Sequence, residues 1–147
     1  MKEILFYSPI WDFTAEALIN KINEVPDEED IRIRVNSPGG SVFAGWSIIG
    51  KMTSRKGKTY ISVDGHAASM AFLLTAFADG AEALDVTRFM VHRASGYIRT
   101  PEDQALLDSI NADLLGKLKK RLNLDMFKEI AGKSLDEIFK AEEVISR

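Results

Sequence analysis

Two stretches of the chain carry the same ordered signals, and this repetition constrains the fold more than any single motif. In the first, Ile31, Ile33 and Val35 alternate with Arg32 and Arg34, the period of two that predicts a strand buried on one face. Asn36-Ser37-Pro38-Gly39-Gly40 breaks that run, and from Ser41 the residues Val42, Trp46, Ile49 and Met52 recur every three or four positions, as on a helix. In the second, Thr59 to Val63 is β-branched and aromatic, Asp64-Gly65 interrupts it, and an apolar small-residue helix is predicted from near Ala68. A strand over Ile4 to Tyr7 and a helix over Thr14 to Glu24, with Leu18, Ile19 and Ile22 at helical spacing, precede both. Strand-loop-helix units of this length predict parallel strands joined by helical crossovers, hence an α/β fold. In such sheets ligands sit beyond the carboxyl ends of the strands, so the two glycine-containing loops are expected to face one site.

Beyond the second unit, Arg88 to Val91 predicts a short strand ending at His92. Thr100-Pro101-Glu102-Asp103 announces a helix: Thr100 suits the cap, Pro101 the first turn, and Asp103 the position of a capping-box acid. Leu107, Ile110, Leu114, Leu118 and Leu122 form one stripe, widened by Leu106 and Leu115, and Lys117, Lys119, Lys120 and Arg121 close the helix in accord with its dipole. A helix of ~22 residues is ~33 Å long. Its wide apolar stripe suits packing against its own domain or against another subunit.

Composition removes several classes of function. The 147 residues, 46% of them hydrophobic, suffice for one domain over 1–147. With no cysteine and two histidines, a disulfide framework, a thiolate metal site and a cysteine nucleophile are excluded, and neither a metal nor a cofactor is expected. A formal charge of −3 with interspersed signs predicts no nucleic-acid partner, and the acidic run Asp27 to Asp30 is expected to be a solvated turn. The longest uncharged apolar segment, Ala67 to Ala78, is well short of the ~20 residues that span a bilayer, so it should be a buried helix and no membrane partner is expected. Met1-Lys2-Glu3 leads into the first apolar stretch without the pattern of a secretory signal, which predicts a cytoplasmic location.

The chemistry therefore falls to hydroxyl, imidazole and backbone groups. In Gly65-His66-Ala67-Ala68-Ser69-Met70-Ala71 a serine stands at a helix start among small neighbours, where its hydroxyl is open to approach and free N–H groups can hold an oxyanion. The plain alternative is that Ser69 caps or packs the helix. The frame is not the G-x-S-x-G elbow of the α/β-hydrolases. Gly40, at the end of the neighbouring strand, has an unhindered amide that could serve as one oxyanion donor, with the amide of Met70 as the second. His92, at a strand end, is the candidate base, and His66 is the reserve.

Asn36-Ser37-Pro38-Gly39-Gly40-Ser41-Val42, Gly65 to Leu74, and Phe89-Met90-Val91-His92 resemble the three signature blocks of the Clp protease proteolytic subunit, in that family's order and near its spacing. The resemblance runs from about Ile4 to the helix at Leu135. It implies a ClpP/crotonase-like α/β fold of repeated strand-strand-helix units with a protruding handle helix, here the one from Pro101. It implies a Ser-His-Asp peptidase in stacked homo-oligomeric rings. Carried over by position, Ser69 is the nucleophile, His92 the base, and Gly40 and Met70 the oxyanion donors. Unfolded polypeptides are the implied substrates. The compact chain is also similar to Clp-like proteases of phage head gene clusters, which act on phage structural proteins. An AAA+ unfoldase is an expected partner on the resemblance alone, and since no G-x-x-x-x-G-K-[ST] pattern is present, any such ATPase must be a separate chain.

The sequence departs from the family pattern in places. Gly65-His66 precedes the nucleophile in place of a more usual uncharged pair, Ala71 stands where glycine is common, and Arg93-Ala94 replace a glutamine and proline after the histidine. The family's third member is an acid following the penultimate helix, with a further strand and helix that this chain is expected to lack. Asp136, Glu137, Glu142 and Glu143 are nearby, but none takes that role, and a dyad alone is expected to be slow. The rival readings are a catalytically inactive ring or assembly component and a crotonase-like acyl-CoA enzyme.

Overall fold

Alternation along the strands decides which side of the sheet is covered. In β1 (Lys2–Phe6), β2 (Ile31–Ser37) and β3 (Thr59–Ala68), Ile4, Phe6, Ile31, Ile33, Val35, Ile61 and Val63 are buried, and their sequence neighbours point the other way. Full burial of such side chains contributes about 1.5–3 kcal/mol each. The helices α1 (Asp12–Asn23), α2 (Val42–Ser54) and α3 (Met70–Phe77) connect these strands and β4 (Gly80–Ala83) in the order β1-β2-β3-β4, all parallel. A sheet wound in one direction by right-handed crossovers carries its helices on one face. The predicted crossover units are thus present, and β4, which the sequence did not disclose, extends the sheet.

The computed structural model describes residues 1–140, which fall into two compact units, one Met1–Met90 and the other beginning at Val91. In the first, the strand predicted to stop at Asp64-Gly65 continues to Ala68. Val35 pairs with Val63 but Ser37 pairs with Ala67, so β3 bulges outward by two residues against β2. Asn36 spans the bulge by accepting the His66 N–H at its Oδ1 (3.1 Å). On the other side β3 is bordered by two short strands, β4 along Tyr60–Val63 and β5 (Arg88–Met90) along His66–Ala68. Between them the buried Thr87 hydroxyl donates to the Val63 carbonyl (2.8 Å). Side chains therefore satisfy groups that the interrupted ladder leaves over, and the helix begins only at Met70.

The face away from the helices is polar and paired within itself. Asp64 accepts from Arg34 Nε (3.0 Å) and Nη2 (2.5 Å) and from the Tyr7 hydroxyl, while Arg32 meets Glu82 (3.2 Å), whose Oε1 also accepts from Ser62 Oγ (2.7 Å). The Arg34 guanidinium, assisted by the Tyr7 hydroxyl, holds the Asp64 carboxyl below its ordinary range against the opposing effect of burial, and the same carboxylate pushes the Tyr7 phenol up.

In the second unit, α4 (Pro101–Arg121) starts as its sequence predicts. Thr100 Oγ1 accepts the Asp103 N–H (3.1 Å) and Asp103 Oδ2 accepts the Thr100 N–H (3.2 Å), a closed capping box. Leu114 and Leu118 are the buried members of its stripe. After α5 (Leu124–Ala131), Gly132 takes a left-handed φ of 75° that ends the helix. Leu135 and Phe139 of α6 (Leu135–Lys140) are buried, and Asp136 pairs with Lys119 of α4 at 2.8 Å.

Candidate active site

The turn after β2 and the start of α3 approach one another so closely that only glycine fits between them. A Cβ on Gly39 would lie 2.4 Å from the Ala68 carbonyl oxygen, 2.8 Å from Ser69 Cβ and 3.0 Å from the Met70 nitrogen, and φ of +84° disfavours any side chain there. The turn after β2 therefore meets the junction of β3 and α3, whereas Gly65, expected in a second loop, lies within β3. Gly40, φ +155°, leans instead on Ile10, where an added Cβ would be 2.2 Å from the carbonyl oxygen.

Ser69 is the only non-glycine residue with positive φ among the described residues (φ 57°, ψ −121°). Strained backbone of this kind costs on the order of 1–3 kcal/mol and persists only where its surroundings fix it. Here the fixing bonds are the Ser69 N–H to the Met90 carbonyl of β5 (2.8 Å) and the Phe72 N–H to the Ser69 carbonyl (3.0 Å). The hydroxyl does not cap α3, so the plain capping role is absent. Ser69 is half-buried, and Met70 beside it is buried with its side chain against Gly45 of α2, whose hypothetical Cβ would be 2.2 Å from Met70 Cγ.

The candidate donors are also uncommitted. Among the described residues, neither the Gly40 N–H nor the Met70 N–H makes a hydrogen bond. Of the two glycines, Gly39 is buried with its N–H bonded, and Gly40, with its N–H free, is the exposed one. Sequence reasoning missed Ser37, whose Oγ accepts the Gly39 N–H at 3.1 Å. A serine two residues before a glycine in a turn is the signal that was there to read.

The two histidines differ. His66 lies within β3, half-buried, with Nδ1 2.6 Å from the Asn36 Oδ1 that also receives its own N–H. His92 lies in the second unit, exposed, with Nδ1 2.6 Å from the Arg93 carbonyl. A carbonyl oxygen only accepts, so in the neutral ring Nδ1 carries the proton and Nε2 keeps its lone pair. The segment after it is held to α4 by Asn111, which accepts from the Ala94 N–H (2.6 Å) and donates to the Ala94 carbonyl (3.0 Å). Of the acids near the end, Asp136 is engaged with Lys119 and the Glu137 N–H is capped by Ser134, while Glu142 and Glu143 lie outside the described residues.

The family model for Clp protease matches residues 1–144. The chain belongs to the Clp protease family. The mixed α/β architecture with its mostly parallel sheet agrees with the fold of that family, and Clp membership supports peptidase activity. Among the described residues, no helix of this Clp-family chain is long and apolar enough to cross a membrane, and no cluster of His, Asp or Glu fits a metal ion.

Proposed function

We propose that this protein is a serine endopeptidase that cleaves peptide bonds through an acyl-enzyme, with Ser69 as nucleophile and His92 as base. Gly40 and Met70 supply the oxyanion donors. The observation that carries the reading is the Ser69 backbone: a strained serine with an uncommitted hydroxyl, set against a glycine turn, with free amides at Gly40 and Met70. In the forward step Ser69 Oγ bonds to the scissile carbonyl carbon as its proton passes to His92 Nε2. The carbonyl oxygen takes the negative charge and receives the two N–H groups. Collapse expels the amine, which takes the proton from Nε2, and water then repeats the sequence to release the acid. His92 follows β5 by two residues, and β5 is the strand whose Met90 carbonyl binds the Ser69 N–H.

Family membership supports oligomeric assembly. On this proposal the assembly is a self-compartmentalising homo-oligomer in the cytoplasm that acts on unfolded polypeptides or phage structural proteins, with a separate AAA+ unfoldase as a partner. A second reading, an inactive ring component, is favoured by one observation: His92 Nδ1 faces a carbonyl and not a carboxylate. Fluorophosphonate labelling separates the two. Labelling at Ser69 that vanishes in Ser69→Ala and falls steeply in His92→Ala is expected of the peptidase; equal labelling of wild type and Ser69→Ala overturns the assignment.

A further inference from the structure

We propose that Ser37 is a positioning residue that holds the Gly40 amide toward the oxyanion, an inference that rests on the peptidase reading above. The backbone donors of the turn can be accounted for one by one. Pro38 has no N–H. The Gly39 N–H donates to Ser37 Oγ (3.1 Å), the Ser41 N–H donates to the Ile10 carbonyl (2.8 Å), and Gly40 alone is left uncommitted. Its direction follows from peptide planarity. The Gly39 carbonyl accepts the Ile10 N–H (2.9 Å), and in a trans peptide the N–H points opposite to the C=O, so the Gly40 N–H is turned away from Ile10.

That peptide plane joins two glycines, both at positive φ. With no Cβ on either side, steric resistance to rotating the plane is small, and a rotated plane would present a carbonyl oxygen where the mechanism needs a donor. Hydrogen bonds must therefore hold it. Ile10 holds the carbonyl, and Ser37 is the one side chain among the described residues that fixes the Gly39 end. It is fully buried at the end of β2, in register with Ala67 and so opposite the approach to Ser69. Loss of its oxygen leaves the buried Gly39 N–H unsatisfied, and rotation of the turn is the way to relieve it.

The test uses the full chain, a short fluorogenic peptide, and a peptide boronic acid whose tetrahedral serine adduct places an oxygen between the two amides. Ser37→Ala is expected to lower kcat about 10–100-fold with KM within about two-fold, somewhat less than the loss on deleting a whole donor. Boronate affinity should fall by a matching factor. Ser37→Thr, which keeps the acceptor oxygen, should recover most of the rate. Wild-type kcat and boronate affinity in Ser37→Ala overturn the proposal, as does a Ser37→Thr that folds and is as slow as the alanine variant. If Ser37→Ala does not fold, Ser37→Cys, a near-isostere with a weaker acceptor, decides: an intermediate kcat is expected, and a wild-type kcat counts against the role. Absence of Ser69-dependent turnover in the wild type would instead show as a failure of the peptidase reading, and this inference would fall with it.

Discussion

At the scale of single residues, the backbone at Ser69 sets function against stability. The strain at φ 57° lies in the main chain, so removing the hydroxyl alone does not relieve it. Ser69→Ala should leave the unfolding free energy nearly unchanged, whereas Ser69→Gly, for which this conformation is easy, should raise it by about 1–2 kcal/mol in urea denaturation while also abolishing turnover. An equal effect of the two variants would refute the account. Gly39→Ala should do the reverse, destabilising by more than ~2 kcal/mol and silencing the site, because the added carbon meets Ala68, Ser69 and Met70 together. Ser69, Gly40 and Met70 could be singled out from sequence as candidates because a serine at a helix start and a glycine pair at a strand end are local patterns. The separate duties of Gly39 and Gly40 could not be read there, since they depend on which backbone atom each glycine faces across the sheet.

At the scale of elements, the spacing between α2 and α3 is set by one missing side chain. Met70 occupies the place where residue 45 would carry its Cβ, so Gly45→Ala should cost about 1–3 kcal/mol and shift the start of α3. Because the clash is with the Met70 side chain, adding Met70→Ala to Gly45→Ala should restore a large part of the lost stability, a coupling that a double-mutant cycle measures directly. In the second unit, Thr100→Ala should cost about 1 kcal/mol by opening the α4 cap. That cap, the strand alternation and the crossover helices were all legible because each is written within a few consecutive residues. The prolonged β3 was not. Asp64-Gly65 is a turn signal by local chemistry, and it is overruled by Asn36 on one side and Thr87 on the other, at separations of 30 and 24 residues from their partners.

At the scale of the whole molecule, the Clp family match extends over both compact units, and the polar outer face of the first one links stability to pH. Asp64 has its folded-state pKa lowered, chiefly by Arg34, so its contribution is fully present above the ordinary carboxylate range and is lost as pH falls through the folded value. Asp64→Asn should accordingly lower the melting temperature near neutrality and narrow the gap from wild type as the solution is acidified; a gap that widens in acid would contradict the assignment. The interrupted border of β3 bears on motion as well. Because its outer neighbours are two short pieces and not one long strand, the β5 piece can fray while β4 stays zipped, and the carbonyl that it would carry away is the one clasping the Ser69 amide. Deuterium uptake at that amide should keep time with Phe89 and Met90 and not with Tyr60 to Val63, so that the tension in the Ser69 torsion angles is released whenever this hem comes loose.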